Sequence, residues 1–167
     1  KILDIGCGDG RYLHEFLEAG WQTMGIEVSE YTANIARGRY GIEVHSRPID
    51  ELNLEPEHFD VIRLKHCIEH LTRPKNTLQQ AVKLLRPGGF TVIDTDNADG
   101  LRSGVENNIR HLFGRKITRG AVKCLTGKNL DTRYGRLSPP IHLYCFSLKT
   151  LTRMLEQIGL HVVYSLR

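Results

Sequence analysis

Three side chains that could ligate a metal ion lie within the stretch HCIEH, residues 66–70. His66 and His70 are four residues apart and would share one face of a helix, with Glu69 beside them. The order His-x-x-Glu-His is the spacing of inverted zincin metallopeptidases, so a zinc site is one hypothesis. A zincin, however, needs both histidines on a long helix and a further, distant ligand. Because a strand-like run precedes the motif and Pro74 follows it closely, the sequence favours a short helix or turn.

A second group of residues that could do chemistry is the stretch DIGCGDG, which begins at Asp4 and follows an apolar run. Gly6, Gly8 and Gly10 would let a ligand approach the backbone closely. The nicotinamide fingerprint needs its third glycine one position later, where this chain has Arg11. Asp4 would also repel a pyrophosphate, whereas it would favour a cationic ligand. The loop therefore predicts a ligand without a pyrophosphate.

The third group is Glu27 and Val28, at the end of the next apolar run. A carboxylate at this strand end can accept hydrogen bonds from both hydroxyls of a ribose. The side chain of Val28 can pack against an adenine ring. Together with the glycine loop, these residues predict a site for an adenosine compound.

The elements that must position these residues alternate between strand and helix. Short apolar runs predict six strands, at residues 1–5, 21–27, 42–46, 58–65, 90–96 and 160–166. Helical spacing and capping residues predict four helices, at residues 11–20, 29–40, 74–89 and 147–159. Ser29 and Ser147 are the predicted N-caps of the second and fourth helices. This alternation predicts an α/β fold: a Rossmann-like, mostly parallel sheet with helices on both faces, which binds ligands at the carboxyl ends of its strands.

Length and composition are those of an ordinary globular protein. The 167 residues predict one domain over 1–167, and 25% of them are charged. No apolar run is long enough to span a bilayer. The four cysteines form no C-x-x-C pair, which favours reduced thiols and a cytoplasmic location over a secreted disulfide scaffold.

Positive charge is concentrated in one segment, residues 98–140, which holds nine Lys or Arg against three acids. This segment is +6, so the rest of the chain is 4 − 6 = −2. We interpret it as a basic, lid-like insertion over the strand ends, suited to an acidic acceptor such as a carboxylate, phosphate or anionic sugar. A solvated loop without any ligand is the alternative. RNA is disfavoured, because aromatic side chains do not alternate with the charges.

The motifs closely resemble those of class I S-adenosylmethionine (SAM) methyltransferases. The likeness runs from LDIGCGDGRYLHEFLEAGWQTMGIEVS through FDVIRLKHCIEHL and AVKLLRPGGFTVIDTDN to PPIHLYCFSLKTLTRMLEQIGL, and so covers nearly the whole chain outside the basic segment. Within that superfamily the chain is similar to the small-molecule branch related to ubiquinone-biosynthesis O-methyltransferases. The resemblance implies SAM as cofactor and methyl transfer to a small molecule, at oxygen, without a metal ion.

The resemblance also implies which residues bind the cofactor. The implied set is Asp4, Gly6, Cys7, Gly8, Gly10, Glu27, Val28, Ile49, Leu64 and Lys65. The glycines would line the methionine and ribose, Asp4 would support the loop and the ligand's amino group, and Glu27 would bind the ribose. The chain departs from many relatives at Pro48, where they carry an Asp that reads adenine. The Ile49 backbone or Asp50 would then replace it.

Two histidines are the candidate catalytic groups. For an acceptor of high pKa, a general base helps, and histidine is the usual choice. His142 lies in PPIHLYCFS, just before the last predicted helix, where relatives place a histidine against the acceptor pocket. His70 is the second candidate, although a structural role in lining the pocket is favoured slightly for it. For His142, a hydrogen bond that holds the lid is an equal alternative.

Three other functions compete with methyl transfer. A non-catalytic SAM-binding module serving a partner would keep the same motifs. A nicotinamide oxidoreductase is disfavoured by Arg11 and Asp4, and a zinc hydrolase by the short turn expected around HCIEH. Relatives also have helices before the first strand and an antiparallel strand after the sixth, so we expect a core trimmed at both ends.

Overall fold

The computed structural model describes residues 1–97, 142–163 and 165. These fall into two compact units, Lys1–Thr95 and Asp96–Arg167, and each is treated by itself. The basic segment predicted at residues 98–140 lies outside the described residues, so its lid-like role stays a prediction. The single domain predicted over residues 1–167 also stays a prediction.

The first unit contains a five-stranded sheet in which every pairing is parallel. Its strands are β1 (Ile2–Ile5), β2 (Thr23–Ile26), β3 (Glu43–His45), β4 (Phe59–Lys65) and β5 (Leu85–Asp94). They lie in the order β3-β2-β1-β4-β5. The first five predicted strands are therefore confirmed, with ends that differ by a few residues.

Within the described residues, the first unit has three α-helices, α1 (Arg11–Glu18), α2 (Glu30–Tyr40) and α3 (Pro74–Leu84), and the second unit has one, α4 (Leu148–Glu156). From β1 the chain runs outward through β2 to β3, and it then returns to β4 and β5 on the other side of β1. Right-handed crossovers place α1 and α2 on one face of such a sheet and α3 on the other. The predicted Rossmann-like α/β fold is confirmed.

The buried core explains why the strand sequences are so uniformly apolar. Ile2, Leu3, Ile62 and Leu64 are each 0% exposed, because both faces of the central strands β1 and β4 are covered. On α1, Leu13 is fully buried, whereas Leu17 in the last turn is exposed. The apolar face of this eight-residue helix is therefore narrower than its sequence pattern indicates.

Both predicted serine caps are confirmed. The Ser29 hydroxyl accepts a hydrogen bond from the Thr32 backbone N–H at the start of α2. Ser147 and Thr150 form a reciprocal capping box at the start of α4. Each serine satisfies a backbone donor that the first helical turn leaves without an intrahelical partner.

The predicted end of α3 is wrong. The sequence PGG, residues 87–89, indicates a helix stop, but α3 ends at Leu84 and β5 begins at once with Leu85. The glycines instead lie inside β5, next to an irregularity in its pairing with β4. A side chain at Gly89 would lie 3.0 Å from the Asp60 carbonyl oxygen, so this glycine serves close strand packing rather than helix termination.

The predicted sixth strand is also wrong in the part of the chain that the structure describes. Residues 160–163 and 165 have no strand assignment, and Val163 is 93% exposed. An apolar, β-branched run favours a strand, but only pairing with a neighbour makes one.

Among the described residues, no helix is both long and apolar enough to cross a membrane.

Candidate functional site

The candidate site lies where the sheet order reverses, between β1 and its neighbour β4. Connections from β1 and β4 lead in opposite directions here, so their carboxyl ends leave a crevice for a ligand. The glycine loop follows β1, Glu27 follows β2, and His66 follows β4. The fold therefore gathers three of the sequence motifs at one edge of the sheet.

The three glycines of the loop all have left-handed backbones, with φ of +77° at Gly6, +57° at Gly8 and +80° at Gly10. They differ in what a side chain would meet. A Cβ atom at Gly6 would lie 2.6 Å from Cys67 Sγ, and one at Gly10 would lie 2.7 Å from Ala36 Cβ. A Cβ atom at Gly8 would meet nothing within 4 Å among the described residues. Two glycines thus serve packing, and the third faces open space.

The Glu27 carboxylate ties the loop to α2. Its Oε2 accepts a hydrogen bond from the Gly8 N–H at 3.0 Å, and its Oε1 accepts one from the Ser29 N–H at 2.9 Å. Each carboxylate oxygen has a second lone pair, so the group can still accept hydrogen bonds from a ligand. The sequence reveals the carboxylate but not these two backbone contacts, which fix its orientation beside the open position at Gly8.

Asp4 is a buried carboxylate, 1% exposed, at the middle of β1. Its Oδ2 accepts a hydrogen bond from Arg63 Nη1 at 2.8 Å, and the two residues are register partners on β1 and β4. Its Oδ1 has no hydrogen-bond partner within the part of the chain that the structure describes. Burial raises the pKa of Asp4 to about 6, against the opposing effects of Arg63 and of Lys65.

Arg63 is a site residue that the sequence reasoning missed. Its guanidinium lies 4.8 Å from the centre of the Tyr12 ring, and Lys65 Nζ lies 4.2 Å from the same ring. Lys65 Nζ is also 4.0 Å from Asp94 Oδ2. A signal was present: a charged residue inside the apolar run FDVIRLK implies a buried partner, and Asp4 is the acid in the neighbouring strand.

Cys7 can offer a ligand its backbone but hardly its thiol. The side chain is buried in the core cluster that contains Leu13 and Ala36. A Cβ atom at Gly25 would lie only 2.5 Å from Cys7 Sγ, so β2 needs a glycine there, which is a second feature that the motifs did not reveal. Burial raises the pKa of Cys7 to about 12, and the thiol therefore stays protonated and is no nucleophile.

The residues predicted to contact adenine differ in exposure. Val28 is 67% exposed beside Glu27 and is free to pack against a flat ring. Ile49 is buried in a short 3-10 helix, Ile49–Glu51, that follows Pro48. The Asp50 side chain is exposed. Leu64, in contrast, is predicted to contact the methionine part of the cofactor through its backbone; it is fully buried in β4, so only its backbone could reach a ligand.

The HCIEH stretch forms a turn after β4, as the sequence predicts. Its last three residues make a 3-10 helix, Ile68–His70, so the two histidines do not share the long helix of a zincin. Glu69 is buried, and its Oε2 accepts a hydrogen bond from the Thr95 hydroxyl at 2.8 Å. Its Oε1 lies 3.7 Å from His66 Nδ1 and 4.0 Å from His70 Nε2. The turn is therefore built around a buried carboxylate.

The two candidate bases belong to different units. His70 is exposed in the turn of the first unit, while His142 is partly buried in the second, shortly before α4. Near His142, the rings of Tyr144 and Phe146 stack at 5.8 Å, and Phe146 pairs with Asn97 in an isolated bridge. The acid–base roles predicted for both histidines stay predictions.

Comparison with known proteins finds a family model described as a methyltransferase domain that matches residues 1–165. A ubiquinone biosynthesis O-methyltransferase of Bordetella bronchiseptica is 33% identical over 103 residues, which are 58% of this chain and 43% of that protein. The chain thus spans less than half the length of the curated relatives it matches.

Solved structures share the fold. A SAM-dependent methyltransferase from Archaeoglobus fulgidus is 23% identical, with a TM-score of 0.67 over 95% of this chain and 59% of that chain. The [4+2]-cyclase SpnF is 22% identical, with a TM-score of 0.51 over 55% of this chain and 37% of that chain. At these identities the likeness concerns the fold alone, and the cyclase illustrates that one fold can host different chemistry.

Proposed function

Because the chain belongs to the class I SAM-dependent methyltransferases, whose methyl donor is SAM, we propose that it transfers a methyl group from SAM to a small-molecule acceptor, at oxygen. The observation that carries this proposal is the position of the Glu27 carboxylate. Two backbone N–H groups fix it beside Gly8, whose outer side is open.

The residues at the strand ends fit this cofactor. The ribose has two hydroxyl donors, and Glu27 has lone pairs left to accept from them. The methionine end carries a primary ammonium, and Asp4 Oδ1 is a buried acceptor without a partner among the described residues. The open side of Gly8 leaves room for close approach to the backbone. The proposed cofactor site also includes the Val28 side chain and the backbones of Ile49, Leu64 and Lys65.

Toward the methyl donor, the chain's own residues contribute binding and orientation rather than bond activation. SAM supplies an activated methyl group on its sulfonium, ready for in-line displacement. Glu27 would hold the ribose, and Asp4 would hold the amino-acid end. These two contacts, both distant from the reacting methyl carbon, would orient that carbon toward the acceptor. Such positioning accounts for a large part of the rate of a group transfer.

For the acceptor, oxygen is proposed because the similar curated relatives are named O-methyltransferases. His142 and His70 are the proposed acid–base groups, since deprotonation of a hydroxyl makes it a better nucleophile. The +6 charge of residues 98–140 supports an acidic acceptor and argues less for RNA. The unpaired thiols of Cys7, Cys67 and Cys145 are consistent with the proposed cytoplasmic location.

Calorimetric titration with S-adenosylhomocysteine tests the proposed cofactor site, with NADH and zinc as controls. Micromolar binding of S-adenosylhomocysteine alone would support it, whereas preferential binding of NADH or zinc would overturn it. Turnover of SAM with a panel of acidic phenols and hydroxy acids then tests the reaction. Binding without turnover on any acceptor would favour the alternative, a non-catalytic SAM-binding module that serves a partner protein.

A further inference from the structure

The unpartnered oxygen of Asp4 is the feature of the site that calls for a ligand. The carboxylate is 1% exposed, and a buried carboxylate oxygen without a donor is costly. The other oxygen is held by Arg63 Nη1 at 2.8 Å, across the β1–β4 pairing. Tyr12 lies 4.8 Å from that guanidinium and limits its movement. Asp4 is thus held in one orientation, with Oδ1 left for another donor.

The strand order indicates which end of the cofactor this donor belongs to. Glu27 and Val28 follow β2, and Ile49 follows β3, so the adenosine half of the proposed site lies on the β2–β3 side. Asp4 on β1 pairs with Arg63 on β4, and β4 lies on the other side of β1 from β2 and β3. We therefore expect the amino-acid half of the ligand to extend toward Asp4, where its ammonium is a donor that matches the acceptor Oδ1, which is free among the described residues.

We propose that Arg63 is a positioning residue that holds Asp4 so that its Oδ1 accepts a hydrogen bond from the primary ammonium of the cofactor. This inference rests on the proposed SAM site. Arg63 does not touch the reacting atoms. Through Asp4, Arg63 contributes to binding of the amino-acid half of the ligand, whereas Glu27 contributes to binding of the adenosine half.

The pair also predicts how binding depends on pH. The pKa of Asp4 is raised to about 6, chiefly by burial, and Arg63 opposes that rise. Lys65 on β4 also opposes it, and the thiols of Cys7 and Cys67, which interact with Asp4, stay protonated because burial raises the pKa of each to about 12. Affinity for an ammonium ligand should therefore fall as pH falls through about 6. Without Arg63 the pKa of Asp4 rises further, so the fall should begin at higher pH.

The test compares two ligands that differ only in the amino-acid half. S-Adenosylhomocysteine carries the ammonium, while 5′-methylthioadenosine keeps the adenosine and lacks it. Both are titrated calorimetrically into the wild-type chain, Arg63→Met and Arg63→Lys between pH 5.5 and 8. Arg86→Met is the matched control, because Arg86 forms an exposed ion pair with Asp60 at 2.9 Å. Thermal melts confirm that each variant is folded.

We expect Arg63→Met to lower the affinity for S-adenosylhomocysteine at least about tenfold, as loss of a charge-assisted hydrogen bond does. Affinity for 5′-methylthioadenosine should stay within about twofold, and Arg63→Lys should recover part of the loss. Equal losses for both ligands, or no shift of the pH profile, would overturn the role of Arg63 while leaving the cofactor site intact. If the folded wild-type chain binds neither ligand, the proposed function fails as well. If Arg63→Met does not fold, Arg63→Lys with both ligands decides the question alone.

Discussion

The loop after β1 and the turn after β4 lie at the same edge of the sheet but are built in different ways. In the loop, Gly6, Gly8 and Gly10 leave the backbone itself to form the surface, and their left-handed φ angles are the essential property. In the turn, a buried side chain, Glu69, organises the structure by bonding Thr95 and facing two histidines. One region depends on the absence of side chains and the other on one particular side chain.

This difference teaches which motif can be read without a structure. A glycine needed for backbone geometry has few replacements, so its pattern is specific. A Glu beside two histidines has several possible uses, including a metal site, and its use depends on the length of the helix around it. The same edge of the sheet therefore contains an informative motif and an ambiguous one.

The largest expected effect separates two glycines within the loop. Gly6→Ala should destabilise the chain by about 2–5 kcal/mol, since a left-handed φ costs about 1–2 kcal/mol and overpacking against Cys67 adds about 1–3 kcal/mol. Gly8→Ala should cost only about 1–2 kcal/mol, because its Cβ meets nothing within 4 Å among the described residues. Urea unfolding of both variants measures the difference. Equal losses of stability would mean that packing does not distinguish the two positions.

Glu27→Ala should lower the affinity for S-adenosylhomocysteine about a thousandfold, because two hydrogen bonds from the ribose to a charged group are lost. It also removes the acceptor for the Gly8 and Ser29 N–H groups. Calorimetry gives the affinity, with Glu43→Ala as the control at an exposed glutamate on β3. Unchanged affinity in Glu27→Ala would show that the adenosine half of the site lies elsewhere.

His142→Ala should lower turnover about a hundredfold and leave the affinity for S-adenosylhomocysteine unchanged, as expected for a general base. His70→Ala, in the turn after β4, should lower turnover less, since a structural role is slightly favoured there. Single-turnover rates and calorimetry on both variants make the comparison. Full activity of His142→Ala would assign that residue a structural role.

The smallest expected effect concerns the buried carboxylate of the turn. Thr95→Val removes the hydroxyl that donates to Glu69 Oε2 at 2.8 Å, and should destabilise the chain by about 1–2 kcal/mol. Thr91→Val is the matched control on β5, because the Thr91 hydroxyl has no hydrogen-bond partner in the described part of the chain. It should be neutral or slightly stabilising. If both substitutions cost the same, the contact with Glu69 contributes nothing.

The predictions from sequence succeeded where local signals and burial agree. The first five strands, the caps at Ser29 and Ser147, and the turn at HCIEH are confirmed. Two predictions from local signals failed because neighbours decide strand formation. PGG lies inside β5, at the point where the pairing of β5 with β4 shifts its register. Residues 160–163 have no strand assignment despite an apolar pattern.

The sequence by itself determined the order of strands and helices and the positions of the glycines and of Glu27 at strand ends, because apolar periodicity and backbone freedom are local properties. Tertiary structure alone decided that Arg63 pairs with Asp4 and that Cys67 packs against Gly6. Both pairs bring together residues about sixty positions apart, and the register of β1 on β4 creates the first of them. No local pattern encodes such a register, because it follows from packing whole strands into one sheet.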